Sequence, residues 1–280
     1  CLEAGLDAAL EKLRGMFAFV LFDTVSGKGS VARDHFGQKP LFYSFQGKTL
    51  TISSAIEPIR YLHGFSQPNL DAYQVFLSTR GIVLPWQTFF QDISVLPAGH
   101  ILEFEGNDIR VRRYFKPKSL VDAEASSDCR NWRREKILSG LDDHFTTAVQ
   151  RHLVSDVPVG ILLSGGIDST LLYWYASEIR NDLTCFTKIS PGIEKIPFAV
   201  IPKVLKSRPS DTVFSVNRPE QYLGALDSFI KWSGFPPPWG GAPPMNRLCQ
   251  EARERGVKVL LSGDCCDEYS AGYENVNRTF

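Results

Sequence analysis

The sequence predicts two domains of different class, an α+β unit followed by an α/β unit built on a parallel sheet. Three observations carry this expectation. Short β-rich segments with turn signals fill the first part of the chain, helix and strand patterns alternate from about Asn131, and a polar stretch without periodicity, KPKSLVDAEASSDC, lies between. Boundaries at 1–116, 117–130 for the linker and 131–280 follow. A length of 280 residues with 43% hydrophobic content is enough to build both cores.

The chain opens on an amphipathic helix, with Leu2, Leu6, Ala9, Leu10 and Leu13 on one side and Glu3, Asp7, Glu11 and Lys12 off it. Strands follow at MFAFVLF, GSVAR, KPLFYSF, KTLTISS, HILEF and IRVRRYF, the last two joined around EGND. Helices are expected near Ala55 to Leu62 and Asp71 to Ser78. Both ends of the chain read as cut, because the first helix begins at once and the last residues follow directly on a loop.

The 31 basic and 31 acidic side chains cancel, so no broad field favours nucleic acid or an anionic membrane. Arg110, Arg112, Arg113, Arg130, Arg133 and Arg134 make the middle locally basic and are read as a solvated helix face. No apolar stretch reaches the ~20 residues of a membrane span, and no signal peptide is visible. The six cysteines form no C-x-x-C pair and the five histidines no H-E-x-x-H, which argues against zinc; sparse, irregular cysteines suit a reducing cytosol.

In the second domain, VGILLSGGIDSTLLYWYA, residues 159–176, carries the first chemical signal. Val159 to Leu163 reads as a strand buried on both faces, and Leu171, Leu172, Trp174, Tyr175 and Ile179 give the next segment an apolar helical side. Ser164, Asp168 and Ser169 are candidate caps for that helix. Between strand and helix, Gly165 and Gly166 permit positive φ and close backbone approach, so amides at a helix start could face an anion. A tight turn with nothing bound would read the same way. No Lys follows the glycines and the spacing is not G-x-G-x-x-G, which excludes two common phosphate loops.

A second strand end repeats the pattern. In GVKVLLSGDCCDEYSAGY, residues 256–273, Val257 to Leu261 runs into Ser262 and Gly263. If both strands share one sheet, Asp168 converges with Asp264, Asp267 and Glu268 at its carboxyl edge. Crowded carboxylates repel unless a cation lies between them, and Mg2+ beside phosphates is the expected ion. GFPPPWGGAPP, residues 234–244, is read as a loop throughout.

SDVPVGILLSGGIDS with LLSGDCCDE and AGY resembles the synthetase domain of glutamine-dependent asparagine synthetases and of relatives such as the β-lactam synthetases. S-G-G-x-D-S matches the pyrophosphate loop of N-type ATP pyrophosphatases. LRGMFAFVLFD, ARDHFGQKPLFYS and FFQDISVLPAGHILEF are similar to the later part of that family's N-terminal-nucleophile glutaminase domain. The resemblance implies a β-rich, sandwich-type partial glutaminase followed by a partial parallel-sheet ATP pyrophosphatase of the adenine nucleotide α hydrolase kind.

The same resemblance implies that Leu162, Ser164, Gly165, Gly166, Asp168, Ser169, Ser262 and Gly263 meet ATP and its pyrophosphate. It implies that Asp168 and Asp267 coordinate Mg2+, and that Asp264 lies near the reacting centre. A substrate carboxylate such as aspartate would become an acyl-adenylate with release of pyrophosphate, and ammonia taken from glutamine would convert it to an amide. A cytoplasmic setting, small-molecule partners, no nucleic acid and no membrane follow, and a homodimer is left open. Cys1 matches the family's nucleophilic cysteine only superficially, because it opens a helix and not a strand. The chain alone is not expected to complete the reaction, since the resemblance also implies a catalytic lysine beyond Phe280.

Three departures bear on the substrate. Cys265 and Cys266 stand where the family loop usually reads G-D-G-G-D-E, CFTKISPGIEKIPF lacks the usual glycine and acidic run, and WSGFPPPWGG places Trp239 by the acceptor pocket without the expected acids. The tandem cysteines are read as buried and inert, with redox control as the alternative. Two rival functions remain: an amide-forming cyclase using an internal amine, and a noncatalytic nucleotide-binding regulator.

Overall fold

The structure, a computed structural model, describes residues 5–64, 66–79, 84–117, 132–190, 196–238 and 240–267. The described residues fall into two compact units, one within Cys1–Trp132 and Ile230–Gly240, the other within Arg133–Phe229 and Gly241–Phe280. Cys1 and residues 118–131, most of the expected linker, lie outside the described residues.

The first unit runs α1 (Leu6–Lys12), β1 (Ala18–Phe22), β2 (Lys28–Arg33), β3 (Phe42–Gln46), β4 (Thr49–Ser53), α2 (Ile56–His63), α3 (Leu70–Thr79), β5 (Ser94–Val95), β6 (His100–Glu105) and β7 (Asp108–Arg113). It holds two antiparallel sheets, ordered β1-β2-β6-β7 and β4-β3-β5. Side chains alternate across a strand, so each sheet offers two faces. Val31 of β2 and Leu102 of β6 meet Tyr43, Leu50 and Ile52 of the other sheet, while their neighbours Ala32 and Ile101 turn to Leu10 of α1. Phe42, next to Tyr43, packs on Ile56 and Ile59 of α2. The layers are therefore helix, sheet, sheet and helix.

One expectation needs correction here. Arg110, Arg112 and Arg113 lie on the edge strand β7, not on a helix, because the period-2 pattern of IRVRRYF prevails. Arg112 is no bystander charge: it donates to Glu103 across the sheet and to Asp7 of α1, both ion pairs within 2.9 Å. Phe235, in the stretch expected at an acceptor pocket, joins Ile56, Ile59 and Ile93 in this unit's core. That part of the stretch is packing, and Trp239 lies outside the described residues.

The second unit contains α4 (Arg134–His152), β8 (Val159–Leu162), α5 (Ile167–Ile179), β9 (Thr184–Ile189), α6 (Ile196–Ser207), β10 (Asp211–Val216), α7 (Tyr222–Ser233, whose last turn belongs to the first unit), α8 (Ala242–Glu254) and β11 (Val259–Leu261). All strand pairs are parallel, in the order β10-β9-β8-β11. Ile161, Leu163 and Cys185 face Val149 and Leu153 of α4, Leu172 and Tyr173 of α5 and Ile201 of α6. Leu162, Phe186 and Leu260 face Leu248 and Ala252 of α8. Helices cover both faces, which is why VGIL is continuously apolar.

The chain first builds outward from β8 to β9 and β10, then returns to the other side of β8 with β11. The sheet thus reverses between β8 and β11, and a crevice outside the carboxyl ends of the strands forms at such a reversal. Among the described residues, no helix is long and apolar enough to cross a membrane.

The buried face of α5 differs from the expected one. Ser169, Leu172, Tyr173 and Ala176, at i, i+3, i+4 and i+7, are buried, whereas Leu171, Trp174 and Ile179 are each at least 40% exposed. Tyr173 was the missing signal: its ring fills the core while its hydroxyl donates to the Arg208 carbonyl at 2.8 Å. Trp174 instead carries the Arg208 guanidinium over its ring at 3.9 Å. GFPPPWGGAPP also ends earlier as a loop than expected. α8 begins at Ala242 with proline in its first turn, where a missing N–H removes no helical bond.

Candidate active site

The β8 loop is built from the strand outward. Leu163 N–H donates to the Phe186 carbonyl at 2.9 Å, and the buried Thr187 hydroxyl donates to the Leu163 carbonyl at 2.8 Å, which fixes where the chain leaves the sheet. Gly165 then takes φ 79°, a conformation that disfavours any side chain. Gly166 is the residue before the first turn of α5 and makes no side-chain cap.

Two hydroxyls lock the turn in place of a cap. Gly166 N–H donates to Ser164 Oγ at 3.3 Å, Ser164 N–H donates to Ser169 Oγ at 3.2 Å, and the two oxygens lie 2.9 Å apart. Ser169 Oγ also donates to the Gly166 carbonyl at 3.3 Å. Either hydroxyl can donate in the bond between the two serines, and each oxygen also accepts a backbone N–H. Ser164 and Ser169 were expected as possible helix caps; they serve the loop, and amides at the start of α5 keep their anion-binding capacity.

A Cβ at Gly166 would meet nothing nearer than Ser164 Oγ at 3.4 Å, and φ there is −72°. Among the described residues nothing crowds a side chain at this position. Glycine here leaves the helix start open to close approach by a bound group.

The β11 loop comes back against this one. A Cβ built on Gly263 would lie 2.9 Å from Asp168 Cβ, 3.0 Å from Ser169 N and 3.1 Å from Asp168 C. Backbone therefore packs on backbone at the sheet reversal, and only glycine permits it. Ser262 Oγ donates to Asp264 Oδ2 at 2.7 Å, holding that exposed carboxylate over its own turn. Cys266 N–H donates to the Gly263 carbonyl at 3.4 Å, closing a four-residue turn with Cys265 in its third place at φ 74°. That is the glycine position of a type II turn.

Asp168 and Asp267, from the two loops, are close enough to feel each other. Partial burial first, and the Asp267 charge second, raise the Asp168 carboxyl above its ordinary range. Among the described residues no group of three or more His, Cys, Asp or Glu side chains could hold a metal. Two carboxylates close enough to interact electrostatically fit a hard divalent cation whose other ligands are phosphate oxygens and water, the usual arrangement for Mg2+.

The structure thus brings together Ser164, Gly165, Gly166, Asp168, Ser169, Ser262, Gly263, Asp264 and Asp267. Leu162 stands apart in kind, because its side chain packs toward Phe186 and Leu248 and offers the crevice backbone alone. Glu268 and the AGY segment lie outside the described residues. The tandem cysteines differ from the expected burial: Cys265 is exposed and Cys266 half-buried, because a left-handed turn at the surface carries them. Sequence reasoning missed Thr187 and the Ser164–Ser169 lock. For the lock, the i, i+5 serine spacing around a Gly-Gly pair was the available signal.

The Asparagine synthase family model matches residues 140–279, half of the chain, and the Glutamine amidotransferase domain model matches residues 1–115. Asparagine synthetase [glutamine-hydrolyzing] 1 of Bacillus subtilis is 28% identical over 95% of this chain and 41% of its own length. A putative asparagine synthetase [glutamine-hydrolyzing] of Mycobacterium bovis is 30% identical over 94% of this chain and 40% of its own. Amidase chyE of Penicillium rubens is 28% identical over 95% and 41%. The chain spans about two-fifths of the length of these curated relatives. The second unit carries the matched strand-loop-helix elements and the first the amidotransferase match; the chain belongs to the asparagine synthase family.

Proposed function

We propose that the crevice between the β8 and β11 loops binds ATP with Mg2+, and that the protein uses it to activate a carboxylate for amide formation. The observation that carries this reading is the close approach of Gly263 to Asp168 and Ser169 at the sheet reversal, which sets the start of α5 beside two interacting carboxylates. In this reading the amides at the start of α5, with Ser164, Gly165, Gly166 and Ser169, hold the β,γ-pyrophosphate. Leu162 backbone, Ser262 and Gly263 lie along the nucleotide. Asp168 and Asp267 would hold Mg2+, which supplies charge neutralisation for a departing pyrophosphate.

The substrate carboxylate attacks the α-phosphorus, pyrophosphate leaves, and the resulting acyl-adenylate is open to attack by an amine. AMP then leaves and the amide forms. In this reading Asp264, which accepts from Ser262, is the acidic group assigned near the reacting centre. Little covalent work falls to the protein, whose contribution is positioning and charge. The acceptor is a small carboxylate such as aspartate, and the nitrogen is ammonia released from glutamine. A cytoplasmic setting, rich in ATP and Mg2+, suits that chemistry.

Calorimetric titration with ATP, with and without Mg2+, on the chain and on Asp168→Asn tests the site. Mg2+ should tighten ATP binding about tenfold or more in the unsubstituted chain and leave the variant unaffected. Equal tightening in both would remove Asp168 and Asp267 from the metal assignment. Pyrophosphate release with aspartate and glutamine, read together with product mass, tests the reaction.

A further inference from the structure

We propose that Cys265 and Cys266 are a redox modification site: a hydroperoxide converts the vicinal thiols to a disulfide, and closure of that ring disables the crevice. The second half of the proposal rests on the nucleotide reading given above.

The four cysteines among the described residues are all thiols, and they are not equivalent. Cys185 lies wholly buried in the sheet, where burial pushes its thiol up to about 11, so it is inert. Cys249 is exposed on α8 with no cysteine adjacent in sequence. Cys265 and Cys266 are consecutive, the first exposed and the second half-buried, in a turn that meets the β8 loop. An exposed thiol with a second thiol one residue away is the arrangement in which an oxidised sulfur is resolved at once.

The chemistry balances with hydrogen peroxide as oxidant. The Cys265 sulfur attacks one peroxide oxygen, the O–O bond breaks, and Cys265 sulfenic acid and one water form. The Cys266 sulfur then attacks the sulfenic sulfur, the S–O bond breaks, and the hydroxyl leaves as a second water with the Cys266 proton. Two thiols have lost two electrons and two protons to one peroxide.

Ring closure reaches the site through the backbone. Consecutive Cα atoms across a trans peptide are ~3.8 Å apart, whereas disulfides ordinarily span about 4.4–6.8 Å between Cα atoms. The turn must rearrange to accommodate the bond, and a disulfide held under such constraint is readily reduced again. Gly263, which opens the turn, has no slack, with Asp168 and Ser169 atoms within 3.1 Å of where its Cβ would stand. Asp267 follows Cys266 directly. Rearrangement between these two points shifts Asp267 against Asp168.

The test treats the full chain with hydrogen peroxide, maps the peptide carrying both cysteines by mass, and titrates Mg-ATP before oxidation, after it and after reduction with dithiothreitol. The expected result is loss of two hydrogens from that peptide, a fall of about 10- to 100-fold in Mg-ATP affinity, and recovery of both on reduction. Cys266→Ser should instead trap a dimedone-reactive sulfenic acid on Cys265, with no reversible loss of binding. Oxygen addition without the disulfide in the unsubstituted chain, or a disulfide that leaves affinity unchanged, overturns the proposal. If the reduced chain fails to bind Mg-ATP, the nucleotide reading fails and with it the control of binding, while the mass map still decides the disulfide.

Discussion

The loop after β8 and the loop after β11 start from the same Leu-Leu-Ser-Gly ending and carry opposite solutions to one backbone problem. Each contains one residue in the left-handed region, Gly165 at φ 79° and Cys265 at φ 74°. The first loop puts glycine there and locks itself with two serine hydroxyls; the second puts cysteine there and holds Asp264 by the Ser262 hydroxyl. Among the described residues Cys265 is the single non-glycine with positive φ. A left-handed conformation costs an L-residue about 1–2 kcal/mol, and such strain persists where the surroundings over-determine it. The surroundings here are the Gly263 contact on one side and the Asp267 position on the other.

The contrast can be broken at its hinge. Gly263→Val places a branched side chain into the Asp168 and Ser169 backbone, already within 3.1 Å of a bare Cβ, and is expected to destabilise by about 3 kcal/mol and abolish Mg-ATP binding. Urea unfolding and ATP titration read both effects; unchanged binding would show that the loops need not touch. Next in size, Gly165→Ala strains the first loop as Cys265 strains the second, with an expected loss of about 1–2 kcal/mol in urea unfolding. Ser169→Ala should be milder, about 1 kcal/mol, because it removes the acceptor of the Ser164 amide from a buried network. A loss no larger than that of an exposed serine, such as Ser228 on α7, would make the lock incidental.

Much of this arrangement was legible in the sequence because local pattern and tertiary demand agree. VGIL is apolar without interruption since both faces of β8 are covered, and the repeated Leu-Leu-Ser-Gly ending placed two loops at one sheet edge. What was not legible depends on which neighbour a side chain meets. Leu171, Trp174 and Ile179 are as apolar as Leu172 and Ala176, and the sheet alone decides that the second set is buried. Arg112 reads as a loose surface charge until Asp7, more than a hundred residues earlier, is brought to within 2.8 Å of it. Cysteine ordinarily packs as a small hydrophobe, so the exposure of Cys265 followed from turn geometry that the sequence expresses only through Gly263 and Asp264.

The smallest change sharpens the contrast most, because its sign is the opposite of the others. Cys265→Gly makes the second loop like the first at its left-handed position. Relief of strain contributes about 1–2 kcal/mol, and the greater freedom of glycine in the unfolded chain takes back about 0.5–1 kcal/mol, leaving a net gain of about 0.5 kcal/mol. Urea midpoints measured in parallel on Gly165→Ala and Cys265→Gly should move in opposite directions. If Cys265→Gly destabilises the protein instead, the cysteine side chain stabilises the folded turn by more than its backbone conformation costs, and the second loop is held by its thiol as the first is held by its hydroxyls.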